Sequence, residues 1–110
     1  MSEIEFKKSL EENINLKKSL FNKDIITSVN KIVHLFYTTI KSKKKILVCG
    51  NGGSAADAQH LCAEFIVRLN PKKNRKALPM MTLAVDTSTI TACGNDFNFN
   101  KVFIRSLEAL

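Results

Sequence analysis

The sequence predicts an α/β fold built on a parallel sheet, with two helices ahead of it. Three observations carry that prediction. Two short apolar runs of strand type, 45–49 and 80–85, are separated by a helical pattern and not by a hairpin turn. The first run ends in a glycine-rich turn that opens straight into that helix, so the strands read as parallel neighbours joined by a crossover. Apolar residues recur at helical spacing over most of the first 41 residues.

Taken in order, residues 2–21 read as a helix in which Phe6, Leu10, Ile14 and Phe21 fall near i+4 steps between charged residues. Asn22-Lys23-Asp24 breaks it, and Asp24 is placed to cap a second helix. There Ile25, Val29, Ile32, Val33, Phe36 and Ile40 keep close to the 3.6-residue period as far as Lys41, with His34 beside the stripe in a surface or structural role. Ser42-Lys43-Lys44 links to the first strand. The helix after the glycine turn is expected to run to Leu69, where Asn70-Pro71 stops it. Pro71 to Leu78 is a basic, exposed connection, and Met80 to Val85 a second buried strand. Asp86-Thr87-Ser88-Thr89 then caps a short helix closed by Asn95-Asp96, and Asn98-Phe99-Asn100 leads into a last helix carrying Val102, Phe103, Leu107 and Leu110. The organisation is a helical segment over 1–41 and an α/β segment over 42–110. Two parallel strands cannot make a sheet buried on both faces, so the second segment reads as the front part of a larger domain.

Composition narrows the class. A 45% hydrophobic content is that of a globular core. No apolar run approaches the ~20 residues of a membrane span, and the N-terminus lacks the apolar stretch of a signal peptide. Cys49, Cys62 and Cys93 lie in apolar segments without paired spacing and read as reduced core thiols of a cytoplasmic protein. The net charge of +7 is spread over separate lysine runs with no interleaved aromatic residues, which argues against a nucleic-acid partner and for solvated faces. Part of that charge can draw in anionic sugar phosphates.

The chemistry concentrates in Ile46 to His60. Three glycines in four positions, Gly50, Gly52 and Gly53, let the backbone turn sharply and approach a ligand closely. The following helix aims unpaired N–H groups and its positive dipole end at that turn, the geometry that holds a phosphate. Ser54 is expected to be N-cap and phosphate contact together. A nucleotide-triphosphatase loop is excluded, because no Lys-Ser/Thr pair follows Gly53. The dinucleotide fingerprint is formally met by Gly50, Gly52 and Ala55, but the acidic residue at the end of the next strand, Asp86, comes much later than that fingerprint wants, so the dinucleotide reading stays as a runner-up. An ordinary tight turn is the plain alternative.

Along the helix, Ala58, Leu61, Cys62, Phe65 and Leu69 share an apolar arc, while Asp57, His60, Glu64 and Arg68 gather on another. His60 and Glu64 are one turn apart and can reach a single point. Such a pair can share a metal ion such as Zn²⁺, split acid and base duties, or merely line a solvated face.

Cys49-Gly50-Asn51-Gly52-Gly53-Ser54-Ala55-Ala56-Asp57-Ala58-Gln59-His60, then Ala63-Glu64 and Arg68, Asp86-Thr87-Ser88, and Cys93-Gly94-Asn95-Asp96-Phe97, resembles the phosphoheptose isomerases of the sugar-isomerase (SIS) domain superfamily. The resemblance runs along nearly the whole chain and covers the front part of the family's fold, a doubly wound α/β sandwich on a parallel sheet. It implies an aldose–ketose isomerase that converts sedoheptulose 7-phosphate into D-glycero-D-manno-heptose 7-phosphate for surface heptoses, acting as a homotetramer with interface active sites. By motif it implies Asn51, Gly52, Gly53, Ser54, Glu64, Asn95 and Asp96 as substrate contacts, His60 and Glu64 as zinc ligands, and Glu64 and His60 as the catalytic pair. It also implies Arg68 and Asp86 as pocket residues. The family's second, serine-rich phosphate loop and its further glutamine and histidine have no counterpart here, so this polypeptide alone is expected to be inactive. The alternative is a non-catalytic SIS-domain protein, a scaffold for the bacterial replication initiator or a sugar-phosphate sensor. Scaffold relatives have lost the helix carboxylate, and Glu64 is present.

Overall fold

A computed structural model describes residues 2–83 and 86–110. The chain divides into two compact units, Met1–Thr38 and Thr39–Leu110.

The first unit holds α1 (Glu3–Ser19) and most of α2 (Lys23–Lys41). Helix α1 starts on a capping box. The Ser2 hydroxyl accepts from the Glu5 N–H, and the Glu5 carboxylate accepts from the Ser2 N–H at 2.6 Å. Two backbone donors without intrahelical partners are satisfied reciprocally. Helix α2 starts two residues earlier than an Asp24 cap would place it. The Asn22 side chain accepts from the Asp24 N–H at 2.7 Å, so the cap is Asn22 and Asp24 sits inside the first turn. Its acidity there still complements the helix dipole. Neither helix buries a residue. The expected stripes, Phe6, Leu10 and Ile14 on α1 and Ile25, Val29, Ile32 and Val33 on α2, are exposed.

The second unit is the α/β part. Strands β1 (Ile46–Val48) and β2 (Met80–Thr82) pair in parallel with Ile46 opposite Met80 and Val48 opposite Thr82. Of the second expected strand, Ala84 and Val85 lie outside the described residues. Helix α3 (Gly53–Ile66) makes the crossover and packs on β2. Helix α4 (Thr87–Asp96) follows, then a single 3₁₀ turn (Phe99–Lys101) and α5 (Val102–Glu108). The Asp86 side chain caps α4 as expected, accepting from the Ser88 N–H at 3.0 Å. Among the described residues the core consists of Ile46, Ala58, Cys62, Met80, Cys93 and Val102. Val102 at its centre is 1% exposed.

Several burial expectations change. Leu61 and Leu69 are exposed, because the narrow sheet covers only the Ala58–Cys62 side of α3 and the helix ends before Leu69. Met81 is exposed as well, since a two-stranded sheet leaves one of its faces open. Cys49 is exposed and not a core thiol, for it lies just past the end of β1. Burial of Cys62 pushes its thiol pKa up, which keeps it protonated and unreactive. No helix among the described residues is long and apolar enough to cross a membrane.

Candidate functional site

The glycine turn is tighter than its composition alone requires. A Cβ built on Gly50 meets the Ser54 carbonyl carbon and oxygen at 2.6 Å, so the end of β1 lies directly against the first turn of α3. Gly52 adopts φ 56° and ψ −123°, torsions an L-residue takes only with strain. Because Gly52 turns the chain by itself, the helix begins at Gly53 and the N-cap is Gly52. Ser54 is therefore not the cap, and it sits in the first helical turn without a side-chain cap bond. Its N–H donates to the Asn51 carbonyl at 3.1 Å, and the Ala55 N–H donates to that of Gly52 at 3.1 Å. Asn51, Gly52, Gly53 and Ser54 are all exposed at this junction. A hollow of about 240 Å³ lies beside them, floored by Ile90, Phe99, Val102 and Phe103.

Two turns further on, His60 and Glu64 meet as their spacing demands. His60 Nε2 lies 3.5 Å from Glu64 Oε1. Their environments differ sharply, with the imidazole 78% exposed and the carboxylate 25%. Glu64 Oε2 is buried and, among the described residues, has no hydrogen-bond partner. An unsatisfied buried carboxylate oxygen is costly, and it marks a place where a proton, a donor or a cation is wanted. As zinc donors the two residues fit half of a tetrahedral set. Among the described residues no group of three or more His, Cys, Asp or Glu converges.

The other expected site residues are dispersed. Asn95 donates to Asp96 Oδ1 at 2.9 Å, and both are exposed at the end of α4. Asp96 lines a different hollow, of about 650 Å³, with Asp86, Thr89 and Arg105. The Asp86 carboxylate is committed to capping α4, where it also accepts from the Thr89 hydroxyl. That hydroxyl, with the Thr89 and Ser88 N–H groups, holds its pKa below the ordinary carboxylate value. Arg68 lies beyond α3, so it does not continue the Asp57–His60–Glu64 arc.

Helix α3 stops at Ile66, three residues before the expected Leu69. Val67 leaves helical torsions at φ −90° and ψ −86°. Arg75, read only as part of an exposed basic connection, is half-buried and reaches back to the main chain of α3. No local signal in the sequence links position 75 to position 64.

The profile of the SIS domain family matches residues 10–110. The chain belongs to the SIS domain family. Among curated relatives, a phosphoheptose isomerase of Clostridium acetobutylicum is 41% identical over 97% of this chain and 52% of its own length. One from Nitratiruptor sp. is 56% identical over 64% of this chain and 37% of its own length. Among solved structures, a phosphoheptose isomerase from Francisella tularensis superposes with a TM-score of 0.87 at 29% identity, covering 100% of this chain and 56% of that one. This SIS-domain chain thus spans about half the length, or less, of the curated relatives it matches.

Proposed function

We propose that this chain is the front part of a phosphoheptose isomerase that interconverts sedoheptulose 7-phosphate and D-glycero-D-manno-heptose 7-phosphate. The observation that carries the reading is Glu64: a partly buried carboxylate whose Oε2 is unpartnered, one turn from an imidazole, on the helix that the glycine turn opens. Its relatives among the phosphoheptose isomerases support the same reading.

The residue types suit the chemistry. Aldose–ketose isomerisation moves a proton between C1 and C2 through an enediol and needs a base at carbon with an acid or cation at the oxygens. Glu64 is the proton-transferring base, and His60 polarises the substrate oxygens. Asn51, Gly52, Gly53 and Ser54 take the sugar phosphate at the start of α3, with Asn95 and Asp96 as further substrate contacts. His60 and Glu64 supply two ligands of a Zn²⁺ site whose other donors come from outside these residues. When bound, the metal supplies Lewis-acid polarisation. The assembly is a cytoplasmic homotetramer feeding surface-heptose synthesis. Presence of Glu64 speaks against the scaffold alternative.

Glu64→Gln in the full-length polypeptide keeps the shape and removes the base. Turnover of sedoheptulose 7-phosphate is expected to fall by about 10²–10⁴-fold, the usual worth of a positioned general base. Parent-like turnover in that variant sinks the assignment.

A further inference from the structure

We propose that Arg75 is a positioning residue for Glu64, holding the main chain that carries the carboxylate. The inference rests on Glu64 being the proton-transferring group. The last carbonyls of any helix lack intrahelical partners. At the end of α3 Arg75 supplies them: Nη2 donates to the Glu64 carbonyl at 2.5 Å, and Nη1 to the Phe65 carbonyl at 2.7 Å. Nη1 also donates to the Lys76 carbonyl at 3.0 Å, so the guanidinium is tied to its own strand-ward segment. The Leu78 N–H donates to the Phe65 carbonyl at 3.1 Å, and β2 begins two residues later at Met80. The carbonyls of Glu64 and Phe65 are thereby tied to the segment that leads into β2.

The chemistry requires arginine in particular. A guanidinium presents a rigid fork that spans two successive carbonyls, whereas an ammonium is a single point on a flexible stem. A cation also suits the negative end of the helix dipole. Without this clamp the final turn of α3 frays, and the carboxylate loses its fixed relation to His60.

The ring signals of His34 and His60, assigned in the full-length polypeptide, provide a readout that does not depend on turnover. Their ring signals are compared by NMR at one fixed pH in the parent, Glu64→Gln, Arg75→Gln and Arg75→Lys. Arg75→Gln is expected to displace the His60 signals in the direction Glu64→Gln does, with His34 unmoved. Arg75→Lys is expected to follow Arg75→Gln despite keeping the charge. His60 signals coincident with the parent in both Arg75 variants overturn the proposal, and the lysine variant decides alone should the glutamine variant not fold. In the full-length polypeptide Arg75→Gln should lower kcat by about 10–100-fold with KM within about twofold, as a small misplacement of a reacting group does. An unchanged kcat in an Arg75 variant, where Glu64→Gln abolishes turnover, also overturns it. Parent-like turnover in Glu64→Gln refutes the isomerase reading of Glu64 instead, and the ring signals then still decide whether Arg75 holds that residue.

Discussion

At its start, α3 is set by what is missing: Gly50 and Gly52 lack the Cβ atoms that would collide with Ser54 or strain the turn. At its end, it is set by what arrives, a guanidinium from Arg75 seated on the carbonyls of Glu64 and Phe65. The first constraint is local, fixed by the chain's own torsions. The second is long-range and depends on the loop from 71 to 78 folding back. His60 and Glu64 sit between the two, so the candidate site is framed by one local boundary and one long-range one.

The comparison breaks most visibly at Gly50. Alanine there places a methyl within 2.6 Å of main-chain atoms, which cannot step aside as a flexible side chain could. Destabilisation by about 3 kcal/mol or more is expected from urea unfolding, at the upper end of overpacking costs. Gly52→Ala should cost less. A Cβ there meets nothing within 4 Å, so the penalty is torsional alone, about 1–3 kcal/mol. Equal losses for the two variants would show that one mechanism, not two, operates in the turn.

Helix α4 sharpens the contrast more gently, because its start is set by a side chain and not by glycines. The Asp86 pKa is lowered in the folded chain, chiefly by the Thr89 hydroxyl. A depressed carboxylate contributes stability that is fully present above its unfolded value, about 3.9, and fades as pH falls through the lower folded value. Amide protection in the first turn of α4, taken relative to the unstructured chain at the same pH, should therefore fall at acidic pH, while that of α3 does not follow. Asp86→Asn should remove the difference. Acid-insensitive protection at Ser88 would show that the cap carries no pH dependence.

What could be read in advance follows the same division. Element order, the parallel pairing, the Asp86 cap and the meeting of His60 with Glu64 all depend on near-neighbour spacing, and the structure bears them out. The cap lies two positions before Ser54, because a serine after glycines resembles a cap while the torsions of Gly52 already start the helix. Leu69 and Arg68 were assigned to α3 because nothing in their own vicinity ends it before Asn70-Pro71. The helix ends at Ile66, where Arg75 bonds the carbonyls of Glu64 and Phe65, and a pattern of period 3.6 cannot register a partner ten positions away. Exposure of Met81 and Leu61 was equally hidden, since burial depends on how many strands stand beside the two described.

The torsions of Gly52 carry one more consequence, a matter of chirality. Reflected, φ 56° and ψ −123° become values that an ordinary L-residue occupies at ease, those of the first central position of a type II turn. The position is therefore formally right-configured for a mirror-image amino acid. Cys49 stands three residues upstream, a natural junction for joining a synthetic peptide to a recombinant one. Semisynthesis could thus place D-alanine at 52, where it should restore the stability that L-alanine forfeits and narrow the freedom of the unfolded chain as well. The glycine would then be revealed as a stand-in for a handedness the genetic code does not offer.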